Sequence, residues 1–257
     1  MDLDEGFSVV IPHFNSTSTL QRTLQSVQCQ TVQAFEVIVI DDSSMPDEVE
    51  TLKVMERTFN FKLILGAVNR GPSYCRNIGI AMAGAKNVAF IDSDDTWCRK
   101  KLETLGPIMT HSAFVFHDYS HDQGFNFKSQ PEYELKQLTL KDFIIRNLAQ
   151  TSCISIVKTS NDVKFDETMR YCEDYDLCLR FLSVDNNKIT YLKGCVMTHL
   201  GRPQLSVGGL SGNRLRMRLG EYRAYRKLAD NYMFSGLAKV LLVFWSIGKH
   251  FVSWVKN

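Results

Sequence analysis

The chain has 257 residues, 44% of them hydrophobic, enough for a substantial core and too apolar for a disordered segment. Its net charge of +2 is unevenly spread: residues 199–257 carry ten Lys or Arg against two acids, a local +8 that leaves −6 elsewhere. Seven cysteines form no CxxC pair, which argues against a structural zinc site, and they read as small buried apolar residues.

From the acidic start MDLDEG, with no signal peptide, the reading expects a reducing cytoplasm. Phe7 to Ile11 is an apolar run that Pro12 should stop. A helix follows over about 19–29, with Leu20, Leu24 and Val27 on one face. Phe35 to Ile40 is a second strand ending in Asp41 and Asp42, and Ser44 is placed to cap the next helix, with Pro46 in its first turn. A third strand spans 62–67, a helix 72–85 and a fourth strand 87–91. This βαβαβαβ order implies parallel strands with helices on the sheet faces, and ligands of such sheets bind at the strands' carboxyl ends. Three of the four strands run into polar segments there: Pro12-His13-Phe14-Asn15, Asp41-Asp42-Ser43-Ser44 and Asp92-Ser93-Asp94-Asp95.

The last of these, within VAFIDSDDTW, is the densest chemical signal. Three carboxylates in four positions repel one another, and a hard divalent cation would relieve the conflict while sharing its coordination with a phosphate. A solvated acidic turn capping the next helix through Asp95 or Thr96 fits the same residues, so this segment alone leaves both readings open.

The second half is less regular. Strands are expected near 113–117, 152–157 and 189–197, helices over 138–147 and 172–182, and a mobile loop over 120–134. Residues 214–231 form a basic helix with Arg214, Arg216, Arg218, Arg223 and Arg226. Along 235–256, Lys239, Lys249, Lys256, His250 and serines fall on one helical side, and Leu237, Leu241, Phe244, Ile247, Phe251, Val252 and Val255 on the other. Trp245 and Trp254 lie at the borders, as in a helix lying in a bilayer interface; packing on the chain's own core or at a dimer interface fits the same pattern.

SVVIPHFN, VIVIDDSS, NRGPSYCRNIG, AFIDSDDTW and YCEDYDLCLRF occur in that order. Together they resemble the inverting glycosyltransferases of the GT-A fold, family two, over roughly residues 7–210. The resemblance implies an α/β, Rossmann-like, mostly parallel sheet flanked by helices, with a C-terminal helical extension. Residues 1–210 would be the catalytic domain, 1–110 its nucleotide-binding half and 111–210 its acceptor-binding half, and 211–257 the basic and amphipathic helices. It further implies transfer of a hexose from a nucleotide sugar, UDP-linked, to a glycan on a lipid pyrophosphate, in bacterial polysaccharide or O-antigen synthesis.

Carried over residue by residue, Pro12, Phe14, Asn15, Asp41, Asp42, Arg76, Asp92 and Ser93 would bind the nucleotide sugar. Phe14 would stack on the base, where the family more often has Tyr, and Asp41 or Asp42 would accept its N–H. Arg76 would grip the base carbonyl or the phosphates. Asp94, with Asp92 and the late His199, would hold Mn²⁺ or Mg²⁺, and Asp95 would cap the Thr96-Trp97 turn. Asp174 would be the general base and Glu173 would orient base or acceptor. Arg202 and Ser206 would close over the phosphates, in a segment that departs from the family's better-defined motifs. The expected place is the cytoplasm, peripheral to the inner face of the membrane, with no nucleic-acid partner and the oligomeric state open. A nucleotidyltransferase on a similar sheet and a non-catalytic sugar-nucleotide binder at the membrane are the rival readings. No GxxxxGK[ST] or GxGxxG supports a kinase or dehydrogenase.

Overall fold

A computed structural model of the chain describes residues 6–122, 127, 132–145, 147–158, 163–184, 187–201 and 213–231. The strands are β1 (Phe7–His13), β2 (Glu36–Asp41), β3 (Lys62–Leu65), β4 (Asn87–Phe90), β5 (Thr96–Trp97), β6 (Phe114–Ser120), β7 (Glu134–Leu138), β8 (Ser155–Val157) and β9 (Ile189–His199). The helices are α1 (Thr17–Gln28), α2 (Pro46–Phe59), α3 (Pro72–Met82), α4 (Lys101–Met109), α5 (Leu140–Ile145), α6 (Glu173–Ser183) and α7 (Arg214–Asn231). They build one sheet in the order β3-β2-β1-β4-β8-β6-β9-β5, with β7 paired to β9.

The first four strands are parallel throughout, as their alternation with helices requires. Beyond β4 the sheet is mixed: β8 is antiparallel to β4 and β6, β6 is parallel to β9, and β5 and β7 run against β9. Period-two alternation sorts side chains to two faces. Val10, Ile38, Ile40, Val88 and Phe90 face one core with α3, α5, α6 and α7. Val9, Ile11, Val39, Ala89 and Ile91 face the other with α1, α2 and α4. The α3 backbone lies so near β1 that a Cβ on Gly79 would sit 2.3 Å from a Val10 methyl.

Several local expectations are corrected. β1 does not stop at Pro12 but runs to His13. The β1–β4 ladder closes with the Ile91 N–H on the Val10 carbonyl, so the N–H that Pro12 lacks would have pointed past its end. Ser44 is not the α2 cap; Met45 holds that position and Ser44 bonds elsewhere. The α3 helix ends at Met82, where Ala83 turns to extended backbone. The sequence pattern signals neither β7 nor α4, and Thr96-Trp97, expected as a turn, forms β5 against β9. Pro107 and Gly106 mask α4, yet Leu102, Leu105 and Met109 still present one buried face. Cys29 is exposed, whereas the other six cysteines are buried. Residues 202–212 and 232–257, with Arg202, Ser206 and the amphipathic tail, lie outside the described residues.

Candidate active site

The carboxyl ends of β1, β2 and β4 open on a cavity of about 790 Å³, closed on the far side by the start of α6. Among the described residues its wall carries Pro12, Phe14, Asn15, Asp42, Arg76, Asp92, Ser93, Asp94, Glu173 and Asp174. Sheet topology thus gathers all but two of the expected site residues.

The loops after β1 and β2 clasp each other. Asn15 adopts the left-handed region, φ 46°, which Asn tolerates better than most residues. Its N–H donates to Ser44 Oγ at 2.8 Å, and its side-chain oxygen accepts the Met45 N–H at 2.9 Å. Beneath them His13 Nε2 accepts the Ser16 N–H, which leaves Nδ1–H to donate to Asp41 at 2.9 Å. Burial would raise the Asp41 carboxyl, but hydrogen bonds from His13 and Ser44 hold it below the usual carboxylate range. Asp41 is therefore spent inside the fold and does not line the cavity. Asp42 accepts the backbone N–H groups of Arg70 and Gly71, at 2.8 and 2.7 Å, and fixes the entry to α3. Phe14 remains 48% exposed, so its ring is available at the mouth.

The acidic loop after β4 is held from four sides. Ser93 Oγ meets Ser16 Oγ at 2.7 Å, Arg22 donates to the Asp94 carbonyl, and Thr23 donates to the Asp95 carbonyl. Ser152 Oγ accepts the Asp92 N–H and donates to the Asp95 carboxylate. Asp95 does not cap the Thr96-Trp97 turn. Its buried carboxyl ties Ser152 to the Gly201 N–H, at 2.8 Å in the latter case. Burial, and then the fields of Asp92 and Asp94, push Asp95 up to about 8. Beneath this loop, Lys101 is fully buried, donates to the Ser152 carbonyl at 2.8 Å and lies over Trp97; burial lowers it to about 7.

Arg76 does not stand free to meet a ligand with its whole guanidinium. It is buried and bridges two acids, donating to Asp92 at 2.7 Å and to Glu173 at 2.8 Å. Burial would lower its pKa, but these acids raise it, so it stays charged. Its Nε is buried without an acceptor among the described residues. Asp174, next to Glu173 in the first turn of α6, is pushed up to about 7 by burial and by the Glu173 charge.

His199 ends β9 in register with Thr96 and Ser120 and stands off the described cavity wall, where His121 and Leu200 appear instead. No three His, Cys, Asp or Glu among the described residues form a preassembled cation cage. Asp92 and Asp94 are hard oxygen donors beside an open cavity, and their field already raises Asp95. They suit an ion such as Mg²⁺ that takes one or two carboxylates and completes its shell with phosphate. Sequence reading missed His13, Ser152, Lys101, Arg170 and Tyr171. Of these His13, inside PHFN, and Tyr171, at the head of YCEDYDLCLRF, sit in motifs that could have flagged them.

The mixed sheet flanked by helices is that of the GT-A glycosyltransferase fold. It matches S. aureus TarS 1-349 solved in complex with UDP-GlcNAc, at TM-score 0.73 and 21% identity over 96% of this chain and 73% of that one. Residues 8–158 match the model of glycosyl transferase family 2, and the chain belongs to that family. Amylovoran biosynthesis glycosyltransferase AmsB of Erwinia amylovora is 30% identical, over 69% of this chain and 64% of its own length. UDP-Glc:alpha-D-GlcNAc-diphosphoundecaprenol beta-1,3-glucosyltransferase WfgD of Escherichia coli is 26% identical over 81% of each chain. An uncharacterized glycosyltransferase of Rickettsia bellii is 35% identical over 47% of this chain, which spans 17% of that relative's length. No helix among the described residues is long and apolar enough to cross a membrane.

Proposed function

We propose that the chain transfers a hexose from a UDP-sugar to a hydroxyl of a lipid-diphosphate-linked glycan, with inversion, in bacterial surface-polysaccharide synthesis. The observation that carries this reading is that Asp92 and Asp94, after β4, and Asp174, at the start of α6, line a single cavity. The names of WfgD and AmsB and the UDP-GlcNAc complex of TarS support the substrate classes.

In this mechanism the exposed ring of Phe14 stacks on the base, and Pro12, Asn15, Asp42 and Ser93 line its seat. Asp94, with Asp92 beside it, would hold Mn²⁺ or Mg²⁺, and the bound ion would neutralise charge building on the departing diphosphate. The two ion pairs of Arg76 fix Asp92 and Glu173 relative to each other. Asp174 takes the proton of the acceptor hydroxyl as the new glycosidic bond forms and the bond to the diphosphate breaks. A carboxyl titrating near 7 suits that task at neutral pH. Glu173 keeps Asp174 basic through repulsion and is itself anchored on Arg76. One base and one displacement give inversion. The apolar and cationic sides read from 235–256 would hold the enzyme at the membrane surface that carries its acceptor.

The test is a screen of UDP-sugars with Mn²⁺ or Mg²⁺ against a lipid-diphosphate-sugar acceptor, with the anomeric configuration of the product assigned by NMR. Transfer with inverted configuration and release of UDP is the expected result. Release of pyrophosphate, retention, or UDP-sugar binding without transfer would overturn the reading.

A further inference from the structure

A second, smaller cavity of about 290 Å³ lies between α7 and the segment that leads into α6. Its wall includes Arg170, Arg216 and Arg223, with Tyr171, Leu219 and Gly220. The α7 helix comes close here because residue 220 has no side chain: a Cβ would lie 2.5 Å from the Tyr171 carbonyl oxygen. Arg216 and Arg223 stand four before and three after Gly220, so both share its face and flank the cavity.

The charges on α7 divide sharply. Arg218 pairs with Glu221 at 3.0 Å, Arg226 with Asp230 at 3.7 Å, and Lys227 with Asp166 and Asp176. Among the described residues Arg170, Arg216 and Arg223 have no carboxylate partner, and the Arg216 guanidinium donates to the Tyr171 hydroxyl, at 3.4 Å. Three unpaired guanidiniums around one cavity present forked donors suited to phosphate oxygens. The volume would hold about ten waters, room for the roughly nine heavy atoms of a diphosphate.

Two further observations select the kind of anion. Leu215, Leu219 and Tyr222 form an exposed stripe at i, i+4, i+7 beside the arginine face, which a bare phosphate does not need and a lipid chain does. Arg170 and Tyr171 also line the large cavity, three or four residues before Asp174, whereas the loops after β1, β2 and β4 contribute nothing to the small one.

We propose that this cavity is the acceptor's diphosphate subsite: Arg170, Arg216 and Arg223 grip the diphosphate, the first prenyl units lie on Leu215, Leu219 and Tyr222, and the attached sugar reaches Asp174. The inference rests on the lipid-diphosphate acceptor reading above and assigns that acceptor its place.

The experiment titrates the full chain, preloaded with UDP, with farnesyl diphosphate, inorganic pyrophosphate and farnesol by calorimetry. Farnesyl diphosphate is expected to bind more tightly than pyrophosphate, and farnesol not to bind measurably. Arg216→Ala/Arg223→Ala should weaken farnesyl diphosphate at least about tenfold, with UDP affinity unchanged and Arg218→Ala behaving as wild type. No binding to the wild type, binding untouched by the double substitution, or binding abolished by UDP would each overturn the proposal. So would loss of binding to phosphatidylglycerol vesicles while farnesyl diphosphate affinity stays the same, which would assign the arginines to lipid headgroups. If UDP itself fails to bind, the donor reading fails, and the same titration without UDP still decides the subsite.

Discussion

Replacing Glu173 by Gln should move the pH dependence of transfer toward acid. Burial and the Glu173 charge together push the Asp174 carboxyl up to about 7, while Arg76 pulls it down. The substitution removes the repulsion and releases part of the Arg76 charge from its pairing, and both effects favour ionised Asp174. A fall of about one pH unit, worth about 1.4 kcal/mol, is the expected size for loss of one neighbouring charge. At pH 6 the ionised fraction would then rise from roughly a tenth to roughly a half, about fivefold. The plateau rate at high pH should fall, because a weaker base drives proton removal less well. The assay is kcat/KM for the acceptor from pH 5 to 9 at saturating donor, each profile scaled to its own plateau. Asp174→Asn supplies the baseline, with UDP binding kept and transfer lost. An acidic limb that stays in place or moves up in Glu173→Gln, or near wild-type transfer by Asp174→Asn, refutes the assignment.

Asp94→Ala should reduce UDP affinity measured with Mn²⁺ to the value found in EDTA and abolish turnover; a metal-dependent gain in affinity that survives would remove the cation from this loop. Asp95 is pushed up to about 8, so the fold keeps it neutral while an unfolded chain ionises it near 4. Its contribution to stability is complete below about pH 4 and lost as the pH rises through about 8, so Asp95→Asn should flatten that loss in urea unfolding without metal. Equal slopes for the two proteins would contradict the burial argument. Ser152→Ala strands the Asp92 N–H and one oxygen of Asp95, and should cost about 1–3 kcal/mol in urea midpoint analysis; no change would mean another partner replaces the hydroxyl. Gly79→Ala drives a methyl to 2.3 Å from Val10 and should lower Tm by an amount matching about 1–3 kcal/mol, part of which Val10→Ala restores. A double variant no better than Gly79→Ala would place the strain elsewhere.

The sequence by itself determined the elements whose signal is local. Apolar runs and glycine and proline punctuation set β1 to β4 and the helices between them; burial on both faces of the sheet leaves β1, β2 and β4 as near-continuous apolar strings, whereas β3 is a half-exposed edge strand. It also placed the acids on the rim, since polar residues that close those strands have nowhere else to lie. Tertiary structure alone decided what each acid does. Arg76 meets Asp92 across 16 residues and Glu173 across 97, and no spacing encodes a contact between a helix on one part of the sheet and a helix start on another. Asp41 and Asp42 are neighbours in one motif, yet pleating sends one carboxylate down to His13 and the other to the backbone of Arg70 and Gly71. Asp95 exchanged an expected cap for a buried link between Ser152 and Gly201, because β9 returns beside the loop and excludes water from it. Charge counts flagged a basic helix over 214–231, but only its packing on Tyr171 separated the paired cations from the unpaired arginines. Burial and pairing are properties of the folded chain, and they set which carboxylate is structural, which is basic and which guanidinium is left for a ligand.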